Sequence, residues 1–108
     1  MFWSFNIPHQ TQPGKNLVYG VLEGPEHSVY VRGKLSGQYI IELPDEWTWL
    51  VDPNSITVQL TPYGGYQRLY VHDIVENTLY INSPDGSPYC YYVVHATRKD
   101  VDPLETVQ

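Results

Sequence analysis

The chain has 108 residues, 42% of them apolar, 17% charged and 14% aromatic, which bounds it to one small domain with a single core and is too aromatic for a disordered segment. Twelve Asp and Glu against six Lys and Arg leave a net charge of −6, which repels phosphate backbones and anionic membrane surfaces and argues against nucleic acid as a partner. One cysteine, Cys90, permits neither an internal disulfide nor a cysteine-based zinc site, and no apolar run approaches the ~20 residues that cross a bilayer.

Nine prolines and eight glycines interrupt the chain every few residues and leave little room for helices of ordinary length. Met1 to Phe5 lacks the basic residues and apolar stretch of a signal peptide. Strands are expected first over residues 2–7 and 17–22, both rich in β-branched or aromatic side chains. Val29 and Val31 then alternate with Tyr30 and Arg32, the period-two pattern of a sheet with one buried face. Residues 34–37 read as a turn, with Gly37 able to take the positive φ of a hairpin. A strand over 39–43 follows. Next comes the one stretch where a helical turn can begin, since Pro44 suits a first turn and Asp45 and Glu46 favour the positive helix end. The expectation there is a short helical or irregular corner near 44–51.

Alternation resumes over 55–61, with Ile56, Val58 and Leu60 on one side, and residues 62–66 form an exposed glycine loop. Strands over 69–74 and 78–82 meet at a Glu76-Asn77 turn. Residues 83–88 combine two prolines with Asp-Gly, a longer loop leading into a last strand over 89–98. About eight short strands at ~10-residue spacing predict an all-β fold, a small antiparallel β-sandwich. Its domain spans residues 1–99, with a polar tail over 100–108.

The four histidines, His9, His27, His72 and His95, lack the His-x-His or Glu-x-x-His spacing of a preassembled metal site. No metal and no cofactor are expected. Glu23 and Glu26 flank Gly24-Pro25, and two carboxylates ~5 to 9.5 Å apart are what glycoside hydrolysis requires. The plainer reading is a tight turn, set by the fixed φ of Pro25 and relieved by Gly24, with Glu26 pairing with Arg32 or Arg98. Arg32 is also a bidentate partner for Glu23 or Glu42. Glu23, Gly24, Pro25, Glu26 and Arg32 are therefore read as a structural turn and ion network, or else as an ion network at a subunit interface. No Gly-x-Ser-x-Gly elbow is present, Cys90 sits in an aromatic strand as a small buried hydrophobe, and Gly64-Gly65 lacks the lysine of a phosphate loop. The protein is not expected to be an enzyme.

Three Trp, ten Tyr and two Phe exceed what one small core buries. Tyr63, Tyr66 and Tyr70 surround the glycine loop, where the rings either stack on a sugar, anchor a protein partner, or clad the sheet across strands. Trp47 and Trp49 share a side in a strand and diverge in a helical turn; in both cases one belongs to the core.

Glu23-Gly24-Pro25-Glu26, followed by Val29-Tyr30 and Arg32-Gly33, resembles a β domain of bacteriophage tail-fibre and related virion structural proteins. The flanks agree in order. Phe5-Asn6-Ile7-Pro8-His9 and Lys15-Asn16-Leu17-Val18 look like the family's opening segment. Ile41-Glu42-Leu43-Pro44-Asp45, Thr57-Val58-Gln59-Leu60-Thr61-Pro62, Tyr91-Tyr92-Val93-Val94 and Arg98-Lys99-Asp100-Val101 look like its later blocks. The resemblance thus covers nearly the whole chain. In such proteins the domain lies toward the C-terminal part of a longer fibre or spike, often before a removable chaperone segment. Neither shaft nor chaperone is in this sequence, so an excised fragment or a stand-alone virion protein is expected.

The resemblance implies a structural role in the virion after synthesis in the host cytoplasm. It also implies a homotrimer, contacts with other virion proteins and with host surface glycan, and no cofactor. The expected function is a component of a tail fibre, spike or similar appendage, acting through oligomeric assembly and host attachment. The alternative is a carbohydrate-binding module using Tyr63, Tyr66 and Tyr70. A third reading, a polysaccharide hydrolase using Glu23 and Glu26, carries the expectation of no turnover.

Overall fold

A computed structural model describes residues 4–107 of the chain. Residues 2 and 3 of the expected first strand, and Gln108 of the expected tail, lie outside the described residues. In chain order the elements are β1 (Ser4–Pro8), β2 (Asn16–Gly20), β3 (Ser28–Ser36), β4 (Ile40–Glu42), α1 (Trp47–Leu50), a 3-10 turn at Pro53–Ser55, β5 (Thr57–Pro62), β6 (Tyr70–Val75), β7 (Thr78–Asn82) and β8 (Tyr89–Thr97). The eight strands form three small antiparallel sheets: the pair β1-β2, and two three-stranded sheets ordered β3-β8-β5 and β4-β7-β6. The fold is all-β, as the turn spacing predicted.

Alternation explains which side of each strand is buried. On β3, Val29 and Leu35 point into the core while Tyr30, Arg32, Lys34 and Ser36 are exposed. Cys90, Val94 and Ala96 of β8 face the same way, and from the other three-stranded sheet come Ile41, Leu79 and Ile81. All of these belong to one apolar cluster, completed by Leu43, Trp47, Leu50, Val51 and, from the β1-β2 pair, Leu17. Burying a side chain such as Leu79, which has no exposed surface, contributes about 1.5–3 kcal/mol. The two three-stranded sheets therefore share one core in sandwich fashion, and the β1-β2 pair is an addition that strand counting alone did not separate.

The corner expected near 44–51 is a single helical turn. Asp45 and Glu46 precede α1 instead of occupying its first turn, and the side chain of Glu46 caps no backbone N–H. Three other bonds fix the corner. The Asn77 amide donates to the carbonyls of Leu43 (3.0 Å) and Pro44 (2.7 Å), and Tyr19 Oη donates to Glu46 Oε1 (2.6 Å), tying β2 to the start of the helix. Trp47 is buried and Trp49 partly so, the divergence a helical turn imposes.

Residues 34–37 correct the expected hairpin. Leu35 continues the inward alternation, so β3 runs through Ser36, and the chain then crosses to the other sheet instead of returning beside β3. Gly37 does take a positive φ of +94°, and its N–H donates to the Pro88 carbonyl at 2.7 Å. The Glu76-Asn77 turn between β6 and β7 forms as expected, with Glu76 at a φ of +56°. β2 stops at Gly20, leaving Val21 and Leu22 exposed beyond it. After β8 an isolated bridge joins Arg98 to Val51, and residues 100–107 continue exposed, with no helix or strand.

Candidate functional site: the outer face of the β3-β8-β5 sheet

The core-facing residues of β3, β8 and β5 leave the intervening ones on a common outer face. The pairing register sorts these into rows across the sheet. Tyr30, His95 and Thr57 lie side by side, then Arg32, Val93 and Gln59, then Lys34, Tyr91 and Thr61. A last row places Ser36 beside Tyr89, whose carbonyl accepts from the Tyr63 N–H at 3.1 Å just beyond β5. None of these positions carries a carboxylate, in a chain with twelve. Tyr30, Tyr89 and Tyr91 are 46%, 45% and 51% exposed, so their rings are presented to solvent and do not merely clad the sheet.

Around Lys34 the face is ordered. Its ammonium lies 4.5 Å from the centre of the Tyr63 ring and 6.0 Å from that of Tyr91, contacts worth about 0.5–1 kcal/mol at an exposed site. Tyr63 packs against Tyr91 with ring centres 5.1 Å apart and edge-on to Tyr89 at 6.1 Å. Its hydroxyl is hydrogen-bonded to Ser36 Oγ at 2.7 Å. At the other end, Tyr30 and His95 have ring centres 6.1 Å apart.

The tyrosines singled out in the sequence divide. Tyr63 and Tyr66 line an open cavity of about 330 Å³ together with Gln67 and Tyr89, and Tyr66 is 84% exposed. Tyr70 is not part of that lining; it stands on β6, in the other sheet, opposite Asn82. The loop carrying Tyr66 is held from below. Gln67 accepts from the Tyr89 N–H at 2.8 Å and donates to the Ser87 carbonyl at 2.7 Å. Arg68 reaches Asp85 with its backbone N–H and its guanidinium, both at 2.8 Å, which holds the Asp85 carboxyl below its ordinary range.

The expected ion network does not form. Among the described residues the ion pairs are Arg68 with Asp85 at 2.8 Å and Arg98 with Asp100 at 2.6 Å. Glu26 instead accepts from Thr97 Oγ1 at 2.6 Å, while Arg98 also lies 4.2 Å from the centre of the Phe5 ring. Distance along the strand is the reason: at ~3.3 Å per residue, Arg32 is about 13 Å further up β3 than Ser28, where the loop bearing Glu23 and Glu26 ends. Glu42 lies on a strand of the other three-stranded sheet. Gly24 relieves no crowding either, since its φ is ordinary and a Cβ there meets nothing within 4 Å. Glu23, Gly24 and Pro25 are exposed, Glu23 just before a bend at residues 24–26, and Glu23 makes no side-chain hydrogen bond or ion pair among the described residues.

Tyr30, Lys34, Tyr89 and Tyr91 were missed as members of a site. The one signal available was parity, which puts Tyr89 and Tyr91 on one side of a strand and Tyr30, Arg32 and Lys34 on one side of another. The face can stack flat groups on its rings and meet negative charge with Arg32 and Lys34, neither of which is in an ion pair among the described residues. Among the described residues no group of three or more His, Cys, Asp or Glu is placed to hold a metal ion. No protein-family profile, no curated protein and no solved structure matches the chain.

Proposed function

We propose that this protein works by assembly. It is a virion structural module of the kind its sequence blocks resemble, made in the host cytoplasm and built into a tail fibre, spike or similar appendage. It joins copies of itself as a homotrimer and meets other virion proteins, with host attachment as the outcome. The observation that carries the reading is the outer face of the β3-β8-β5 sheet, which has exposed tyrosines and cations in no ion pair among the described residues, but no carboxylate, on a chain of net charge −6. Such a face is complementary to the acidic remainder of another copy. A heterologous contact between two different patches closes into a ring when the rotation allows it.

Light scattering over a concentration series tests the reading. A mass three times that of the chain, falling at high salt, is the expected result. A monomer at every concentration sinks it.

One observation favours the carbohydrate-binding alternative: Tyr66 stands almost free beside the open cavity it shares with Tyr63 and Tyr89. In that case a glycan array gives binding that Tyr66→Ala abolishes, while the mass in solution does not change.

A further inference from the structure

Among the described residues two features lack partners, and they match. The first is the outer edge of β3, the nine-residue strand Ser28–Ser36, which is bonded to β8 on one side only. An open edge presents a row of free N–H and C=O groups that a further strand can take up. Beside it, between β2 and β3, lies an apolar groove of about 520 Å³ whose lining includes Val18, Val21, Leu22, Val29, Tyr30 and Val31. Val18, Val21, Leu22 and Tyr30 are all exposed there.

The second feature is the segment 101–107. It has no helix or strand, and it exposes Val101, Leu104 and Val107 with Asp102 and Glu105 between them. None of its residues lines the groove of its own chain.

Resting on the assembly reading, we infer that segment 101–107 of one copy docks along the β3 edge of a second copy. Its apolar residues enter the groove between β2 and β3, and its two acids meet Arg32 and Lys34. Charge selects this occupant. Arg32 and Lys34 stand on the edge strand itself, outside any ion pair among the described residues, and the segment's only charged side chains are the two carboxylates. Pro103 suits a polyproline II conformation of the docked segment, whose three residues per turn put Val101, Leu104 and Val107 on one face and Asp102 and Glu105 together on another.

The test is a charge exchange in the full chain, read by sedimentation equilibrium. All four charged positions are exposed, so the folded protein tolerates the changes, and circular dichroism checks that it does. Arg32→Glu/Lys34→Glu and Asp102→Lys/Glu105→Lys are each expected to weaken self-association about tenfold or more. An equimolar mixture of the two proteins is expected to recover association in part, because each then offers a matched edge or segment to the other while a ring of three keeps one contact mismatched. Leu104→Asp weakens association in either background. If the full chain self-associates and both charge variants do so equally well, the interface lies elsewhere: the inference fails and the assembly reading stands. A full chain that stays monomeric throughout overturns both.

Discussion

Gly33 lies under the ring of Tyr92, the residue paired with it across β3 and β8. A Cβ at position 33 would fall 2.6 Å from Tyr92 Cζ and closer still to the hydroxyl, inside the distance that packed atoms accept. The tyrosine ring occupies the space that a side chain on β3 would otherwise fill. Gly33→Ala is expected to cost about 1–3 kcal/mol, as overpacking does, measured by urea unfolding. Adding Tyr92→Leu recovers most of the loss. An alanine variant as stable as the parent means the ring steps aside freely, and the packing account is wrong.

Leu79 is fully buried on β7, between β4 and β6 in its sheet and in the cluster both three-stranded sheets share. Leu79→Ala leaves a cavity where the two sheets meet, so a loss of about 2–5 kcal/mol is expected. Leu104→Ala, in the exposed tail, is expected to leave monomer stability within about 0.5 kcal/mol. Equal effects from the two would show that the core is elsewhere.

The Arg68 guanidinium and backbone N–H hold the Asp85 carboxyl below its ordinary value of 3.8. A carboxylate with a depressed pKa contributes stability above its unfolded value, and that contribution disappears as pH falls through the folded value. Both side chains are exposed, so the effect is small and weakened by salt. Melting temperature is expected to fall more steeply below about pH 4 in the parent than in Asp85→Asn. Parallel curves would separate this pair from acid stability.

Burial first, and then the hydrogen bond to Glu46, push the Tyr19 phenol above its ordinary value of 10.0. The raised value favours the neutral ring in the folded state. Its contribution is complete below about pH 10 and is lost as pH rises above that. In an ultraviolet titration of the native protein, Tyr19→Phe is expected to delete a phenol that ionises above the ordinary range. Its loss of stability at neutral pH, about 1 kcal/mol, comes from the hydrogen bond to Glu46. Normalised titrations that superimpose would mean that the Tyr19 phenol is not shifted.

Strand positions were legible wherever apolar and polar residues alternate without interruption, and β7 matches its expected bounds at both ends. Gly33 broke the reading of β3: with no side chain to show its parity, the strand looked finished before Leu35 resumed the inward pattern. Strand order was not legible at all, because pairing of β3 with β8 depends on contacts between distant segments. The candidate face shared that limit. Tyr63 and Tyr66 are neighbours along the chain and were found together, whereas Lys34 meets Tyr91 only through the register of two strands. Proximity in sequence misled in two places. Tyr70 enters the other sheet, and Arg32 is carried up its strand away from Glu26.

β8 is the central strand of its sheet, with β3 on one side and β5 on the other. During synthesis both neighbours emerge before it and remain without their partner until residues 89–97 follow. The connection that closes between β3 and β8 runs over residues 37–88, about half of the chain, a slow step in folding because chain entropy is lost before any contact compensates. Until that moment two apolar strand edges are open at once in the growing chain. A ribosome stalled before Tyr89 would therefore hold a chain unable to form this sheet, and folding of the outer face must wait for nearly the entire domain to be made.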